Sequence, residues 1–305
     1  MILILGYMQP LYRKAWLYAR KKKYLVAFRM EAYDEPYRTP YLKKLIRDVV
    51  LRGIYAWTDA FLYIGEASKQ HYRRLGVPEK KLYFSPYTVD ASVYSLDDSD
   101  REEIRRNKRN ELGLHLDDRV VLFSGKLIQK KDPKIIVESI RKLSNEDRQK
   151  TVILYLGDGP LREHIVNAAH ESPSVRVVMC GFYNQTQLSP FYLASDVLIL
   201  PSLYQETWGL VVNEALLHGL PCIVSDRVGC HFDLIESGLT GEVFSAGSSE
   251  GLHQSLKKCL NYAHKLETRK ACQFKARQYS IEKAAYGINQ AYEACVKKKS
   301  RGGAC

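Results

Sequence analysis

Two glutamates, Glu206 and Glu214, stand with seven residues between them in the segment PSLYQETWGLVVNEALLHGLPCIVSD, Pro201–Asp226. An apolar run, Val197–Leu200, precedes them and another, Cys222–Val224, follows. The amphipathic stretch from about Gly209 ends at His218, with Gly219 as the expected helix stop and Pro221 just beyond. The unit reads strand, loop with Glu206, helix carrying Glu214, strand. In such a unit the loop and helix N-terminus lie at the carboxyl edge of a parallel sheet, where open α/β folds bind ligands. Backbone N–H groups at that helix start suit an anion. Two carboxylates beside an anion hole predict a ligand with phosphates and several hydroxyls, such as a nucleotide sugar. The bland alternative is a solvated loop residue and a helix surface charge.

Other turns add to this pattern. VLFSGKLIQKKDP, Val121–Pro133, is a strand, then Gly125, then lysines at 126, 130 and 131. The glycine permits a tight turn, and the lysines sit where a pyrophosphate would need countercharge; a solvated basic loop is the alternative. YLGDGP, Tyr155–Pro160, is a strand ending in a turn with Gly157 and Gly159. That turn alone is weak, because many βα turns look like it. CGFYNQTQL, Cys180–Leu188, follows another strand and carries Phe182. His231 lies near the close of the first segment and reads as an ordinary surface or packed histidine.

The elements that must position these residues form two α/β series. In the first, strands are expected at Ile2–Leu5, Tyr24–Phe28, Ala60–Ile64 and Lys81–Phe84. Helices are expected at Leu11–Lys22, Tyr41–Ala56 and Glu66–Leu75. The second series has strands at Val120–Phe123, Thr151–Leu156, Val175–Met179, Val197–Leu200, Cys222–Val224 and Glu242–Phe244. Its helices are Lys134–Lys142, Leu161–Ala169, Gln187–Ala194 and the one carrying Glu214, and residues 250–265 and 281–297 read as terminal helices. This alternation implies parallel sheets. Between the series, Asp90–Asp118 is polar and charged, with a short helix at Arg101–Glu111, and reads as an interdomain linker. In helix Tyr41–Ala56 the apolar residues Leu42, Leu45, Ile46, Val49, Val50 and Ile54 read as the core-facing side, with Lys43, Lys44, Arg47 and Arg52 on a solvated basic face. Docking of that basic helix on an anionic membrane surface is the alternative. Arg29 and Glu31, at the end of the second strand, face the cleft or form a local pair.

A chain of 305 residues has room for two domains with their own cores. No run approaches the ~18 apolar residues of a membrane span, and residues 1–10 read as a buried strand rather than a signal peptide. Seven scattered cysteines (180, 222, 230, 259, 272, 295 and 305) show neither zinc nor C-x-x-C spacing, which predicts reduced thiols and a cytoplasmic setting. Cys180 and Cys222 read as small core residues. The net charge of +12 suits an anionic substrate, a lipid headgroup or nucleic acid. No nucleic-acid motif supports the last, so no nucleic-acid partner is expected.

The Glu206–Glu214 segment resembles the signature of retaining glycosyltransferases of family 4, enzymes of the two-domain GT-B fold. The resemblance implies an α/β, GT-B-like chain with two Rossmann-like domains. A partial N-terminal, acceptor-side domain spans 1–95 and a linker 96–118. A nucleotide-sugar domain spans 119–280, and a C-terminal helix and basic tail, 281–305, pack back toward the first domain. Members place their two glutamates around a Phe-Gly-Leu-type turn, matched here by Trp208, Gly209 and Leu210, with Thr207 beside it. By resemblance Glu206 contacts the donor sugar and Glu214 the ribose. Lys126 and Lys131 match the family's basic pair at the diphosphate, with lysine at 126 where arginine is more frequent. Gly125 and Gly157 border the donor, and Phe182 lies by the base or simply packs. The implied reaction transfers a hexose from a nucleotide sugar with retention and requires no metal or other cofactor.

The acceptor implied is a glycan, a lipid or a small molecule. The resemblance reaches only from the middle of the family's N-terminal domain, starting at ILILGYMQP. Its opening strands and Gly-rich loop have no counterpart, and Leu5 stands where many relatives carry a cleft histidine. An apolar first strand at a sheet edge predicts self-association or a partner subunit that completes the sheet. A non-catalytic nucleotide-sugar-binding subunit and another GT-B enzyme, such as a nucleotide-sugar epimerase, are the alternatives. The setting expected is cytoplasmic or peripheral at a membrane, in polysaccharide or glycan biosynthesis.

Overall fold

The computed structural model describes residues 1–31, 34, 40–91, 98–172 and 174–302. The start of the expected linker, at 96–97, and the end of the expected tail, with Cys305, lie outside them. The chain divides into unit 1, Met1–Thr88 with Tyr279–Cys305, and unit 2, Val89–Gln278.

Unit 1 has strands β1 (Ile2–Ile4), β2 (Val26–Arg29), β3 (Ala60–Tyr63) and β4 (Leu82–Phe84). They form a parallel sheet in the order β1-β2-β3-β4, with β1 at one edge. Helices α1 (Pro10–Lys21), α2 (Tyr41–Ala56) and α3 (Glu66–Arg74) are the crossovers. A monotonic strand order with right-handed connections puts all three on one face of the sheet. There Ala19, Leu51, Tyr55 and Tyr72 pack with Ile4, Val26, Phe28 and Phe61. Alternate strand residues point to the opposite face, where Ala27, Ala60 and Leu62 pack with Ala291 and Cys295 of the last helix.

The orientation of α2 reverses the expected one. Leu42, Leu45, Ile46, Val49 and Val50 are exposed, while Asp48, Leu51 and Tyr55 are buried. The cause is a polar network on the inward side. Arg74 forms an ion pair with Asp48 and with Asp34, and Arg47 Nη2 lies 2.9 Å from Asp34 Oδ1. Tyr55 Oη meets His71 Nε2 at 3.1 Å. Arg29 belongs to β2 rather than following it, and its guanidinium donates to the carbonyls of Ser85 and Pro86.

Unit 2 begins with α4 (Asp98–Glu111), β5 (Arg119–Ser124), α5 (Lys134–Ile140), α6 (Asn145–Gln149) and β6 (Thr151–Leu156). It continues with α7 (Arg162–His170), β7 (Arg176–Gly181), α8 (Ser189–Ala194), β8 (Val197–Leu200), α9 (Leu210–Leu217) and β9 (Cys222–Ser225). It closes with α10 (His231–Leu234), β10 (Gly241–Phe244), α11 (Ser249–Leu260) and α12 (Leu266–Arg277); α13 (Ile281–Gly302) returns to unit 1. The six strands are parallel, in the order β10-β9-β8-β5-β6-β7. Val121, Phe123, Ile153, Tyr155, Val197 and Ile199 face one side, against Ile136 and Ile140 of α5, Ile165 of α7 and Leu252 and Leu256 of α11. Leu122, Leu154 and Leu198 are equally buried on the other side. Burial on both faces explains the near-continuous apolar strands, and each such side chain contributes about 1.5–3 kcal/mol.

The stretch read as a linker carries α4, which belongs to unit 2. Arg109 is fully buried. Its guanidinium donates to the carbonyls of Ala194, His115, Leu116 and Asp118 and to Asp196 Oδ2. Asp196 also pairs with Arg105 at 2.7 Å and accepts from the Val120 N–H. A charged helix is thereby fixed to the start of β5 and β8 through chain carbonyls, which a hydrophobicity pattern does not reveal.

Candidate functional site

The strand order of unit 2 reverses between β5 and β8. From β5 the sheet continues to β6 and β7, and from β8 to β9 and β10. The loops that leave the carboxyl ends of β5 and β8 therefore diverge, and a crevice opens at this switch point. The β5 loop holds Gly125, Lys126 and Lys131, and the β8 loop holds Glu206 and Thr207.

Two contacts join the loops. The Leu203 N–H donates to the Lys130 carbonyl at 2.9 Å. Lys131 Nζ forms an ion pair with Glu206 Oε2, and the Ser202 hydroxyl donates to that same oxygen at 2.9 Å. The Lys131 and Glu206 side chains are only 18% and 13% exposed, so water screens the pair less than it would a surface pair. Lys126, by contrast, is exposed and makes no ion pair among the described residues. Asp132 follows Lys131 in the left-handed region (φ 44°), and burial raises its carboxyl to about 6.

The glycine turns set how closely these loops approach. Gly157 has φ 141°, and a Cβ there would lie 2.0 Å from the Gly125 carbonyl oxygen. The ends of β5 and β6 thus touch backbone to backbone, and the Gly157 N–H donates to the Gly181 carbonyl at 2.7 Å. Gly209 caps α9 with φ 101°, and its hypothetical Cβ would meet Leu200 Cδ2 at 2.9 Å. The first N–H groups of α9 follow it, with Leu210, 42% exposed, as the first helical residue.

The side chain of Trp208, a residue expected at the donor, cannot make that contact. The indole is buried, and its N–H donates to Asn213 Oδ1 at 2.8 Å. It acts as a peg that fixes the turn onto α9. The backbone of this turn pairs with Val228–Cys230: the Gly229 N–H donates to the Glu206 carbonyl at 2.8 Å and the Cys230 N–H to that of Trp208 at 3.1 Å. The Thr207 carbonyl lies so close to Gly229 that a Cβ there would sit 2.1 Å away.

The two glutamates have separate partners. Glu214, on α9, is 7% exposed and accepts a 2.6 Å hydrogen bond from the Tyr192 hydroxyl. Burial raises its carboxyl above the usual range, and the Tyr192 bond partly opposes this. Tyr192 is the residue sequence reasoning missed, since an aromatic in SPFYLA reads as core filling. Its ring stacks on His218 with centroids 4.9 Å apart. His218 Nε2 meets Ser189 Oγ at 2.8 Å, and burial pushes the imidazole down to about 4. Phe182, just past β7, is 79% exposed, so it is not a packed core residue. His231 is half-buried, with Nδ1 2.8 Å from the Val228 carbonyl. Cys222 is buried as expected, whereas Cys180 is only partly so. Among the described residues no group of three His, Cys, Asp or Glu is placed to hold a metal ion, and no helix is long and apolar enough to cross a membrane.

Known proteins resemble this chain in sequence and in fold. A spore coat protein SA from Bacillus subtilis is 24% identical over 239 residues, covering 76% of this chain and 62% of that protein. An uncharacterised glycosyltransferase of Methanocaldococcus jannaschii is 28% identical over 165 residues, 54% of this chain and 41% of that one. The chain thus spans less than two thirds of the length of these relatives. Anabaena HepE, solved with UDP and glucose, superposes with a TM-score of 0.72 at 18% identity, over 95% of this chain and 77% of that one. The fold of each unit is the Rossmann-like parallel-sheet type found in GT-B glycosyltransferases. The family model described as "Glycosyl transferases group 1" matches residues 104–279, more than half of the sequence. The chain belongs to the glycosyl transferases group 1 family.

Proposed function

We propose that this chain is a retaining glycosyltransferase of family 4 that transfers a hexose from a nucleotide sugar, with the donor held at the β5–β8 switch point of unit 2. The observation that carries this reading is the Lys131–Glu206 pair, which joins a basic loop to an acidic one at the carboxyl end of the sheet. A nucleotide sugar presents a diphosphate and a ring of hydroxyls, and this pair offers one group for each.

When the anomeric C–O bond breaks, negative charge grows on the departing diphosphate. Lys126, Lys131 and the N–H groups at the start of α9 supply fixed positive potential for that charge. Glu206, held by Ser202, orients the sugar hydroxyls. Glu214, held by Tyr192, takes the ribose hydroxyls. Phe182 lies exposed for a base, and Gly125 and Gly157 let the backbone come close to the phosphates. Countercharge from lysine serves where a metal would otherwise be needed, so chelators leave the proposed activity intact. The acceptor is a hydroxyl of a glycan, lipid or small molecule, and the proposed setting is the cytoplasmic side of a membrane or the cytoplasm. Anabaena HepE was solved with UDP, which makes UDP-hexoses the first donors to test.

The test is a thermal-shift screen of nucleotide sugars, followed by acceptor screening with the best ligand. A rise in melting temperature with a nucleotide sugar, lost in Lys131→Met, supports the reading. No shift with any nucleotide sugar contradicts it.

A further inference from the structure

Helix α2 places its apolar side in water. Leu42, Ile46, Val49 and Val50 are 66%, 57%, 61% and 53% exposed, and Leu45 is 49% exposed. At 100° per residue these side chains form one stripe over the first three turns. The inward side cannot trade places with it. Rotating the helix to bury the stripe would break the ion pairs of Asp48 and Arg47 with Arg74 and Asp34, and the Tyr55–His71 contact. The fold therefore holds the stripe outward, and a contiguous exposed apolar stripe marks an interaction surface.

The surroundings of the stripe indicate its occupant. Lys43 and Arg52, both exposed, flank it on opposite sides. Tyr41, 82% exposed, begins the helix, and Trp57, 59% exposed, follows its last residue with the Arg20 guanidinium 3.5 Å over the ring. Aromatic residues at both ends and cations on both flanks suit the headgroup region of a bilayer. One turn beyond Val50, Ile54 lines an apolar cavity of about 220 Å³ with Trp16, Leu17 and Phe28, so the apolar surface continues toward α1.

Charge separates the possible occupants. Unit 1 contains 22 Lys and Arg against 9 Asp and Glu, a net of +13, whereas unit 2 contains 24 against 25, a net of −1. The entire excess of the chain thus lies in the unit that carries the stripe. A second copy would bring its own Lys43 and Arg52 to this face, on a unit of the same net charge, and be repelled. An anionic lipid surface satisfies both the charge and the apolar stripe.

We infer that the outward face of α2 seats unit 1 on an anionic membrane surface, with Leu42, Leu45, Ile46, Val49 and Val50 entering the headgroup–acyl boundary and Lys43 and Arg52 meeting lipid phosphates. This binding is separate from donor binding and is read without any transfer assay.

The test is flotation of the full chain with vesicles of phosphatidylcholine, alone and mixed with phosphatidylglycerol. The chain floats with the mixed vesicles. The double variant Ile46→Asp/Val49→Asp loses at least about tenfold in partitioning, because charges enter the apolar boundary. Its circular dichroism and melting temperature stay unchanged, since both positions face water. Lys43→Glu/Arg52→Glu also weakens binding, and Phe274→Asp, on the exposed side of α12, does not. Brominated lipid quenches the fluorescence difference between the chain and Trp57→Phe. Failure to float, or flotation unaffected by Ile46→Asp/Val49→Asp, overturns the inference. So does a dimer in native mass spectra that Ile46→Asp dissolves, which would assign the face to a second copy.

Discussion

Lys131 and Glu206 come from loops that follow different strands, 75 residues apart in sequence, and their charged groups form an ion pair at the switch point of the second sheet. The pair is largely buried, and Ser202 gives Glu206 a second partner. The carboxylate is thus oriented before any ligand arrives, and of the β5-loop lysines Lys131 is paired whereas Lys126 makes no ion pair among the described residues.

That division predicts different outcomes at the two lysines. Lys131→Met leaves the Glu206 carboxylate short of its main partner and destabilises unit 2 by about 1–3 kcal/mol. Lys126→Met changes stability by less than about 0.5 kcal/mol, as expected of an exposed residue. Both lower kcat/KM, by roughly 10²-fold each, if both stabilise the leaving diphosphate. Urea unfolding and steady-state kinetics on the two variants read the two effects separately.

The backbone approach at Gly157 predicts a large local cost. Gly157→Ala drives a Cβ to 2.0 Å from the Gly125 carbonyl in a left-handed backbone, so one of the two strand ends must move. A loss of about 3 kcal/mol or more is expected, together with weaker donor binding. Gly76 also has a positive φ, 87°, but open space around it, and Gly76→Ala is expected to cost about 1 kcal/mol. Denaturation midpoints of the two variants compare steric overlap with backbone strain alone.

Stability should fall between neutral and mildly acid pH because of His218. Its folded pKa is pushed down to about 4 by burial, whereas an unfolded histidine titrates near about 6.5. Below that value the unfolded chain binds a proton that the folded chain excludes. The stabilisation is therefore complete above about pH 6.5 and is lost as pH falls toward 4, by on the order of 3 kcal/mol. His218→Gln should flatten this part of the profile, as urea midpoints at several pH values would show.

Tyr192 positions Glu214, and its removal has a directional signature. Tyr192→Phe takes away the hydrogen bond that opposes burial, so the Glu214 carboxyl rises further. Donor affinity should fall about tenfold at neutral pH, in line with one lost hydrogen bond to a charged group. The acid side of the affinity–pH profile should also move to higher pH, in the direction in which the Glu214 carboxyl moves. Donor titrations across pH distinguish this from a uniform packing loss.

The sequence and the structure agree best where hydrophobic pattern decides. The strands of unit 2 are nearly continuous apolar runs buried on both faces, and Thr151–Leu156 and Val197–Leu200 match to the residue. Helix α12 escaped notice because its buried stripe is Thr268, Cys272 and Ala276, small residues four apart with no large apolar side chain. The direction of α2 was not legible because its apolar stripe has the spacing of a core stripe. What turns it outward is a set of ion pairs to Asp34 and Arg74, remote in sequence. Trp208 read as a site residue from its place in the motif, and only packing against Asn213 shows its indole to be internal. The placement of Lys126, Lys131 and Glu206 on loops after strands, and of Glu214 on a helix, was legible from the apolar runs and the glycines around them; the Lys131–Glu206 pairing needed the sheet order.

The most direct test of the account measures nucleoside diphosphate release from the best-binding nucleotide sugar, for the chain and for Glu206→Ala, with acceptor present. The account predicts release by the chain, formation of a product that keeps the donor's anomeric configuration, and loss of both in a folded Glu206→Ala variant. Unchanged turnover in Glu206→Ala, or a bound nucleotide sugar that the chain neither hydrolyses nor transfers, would contradict it.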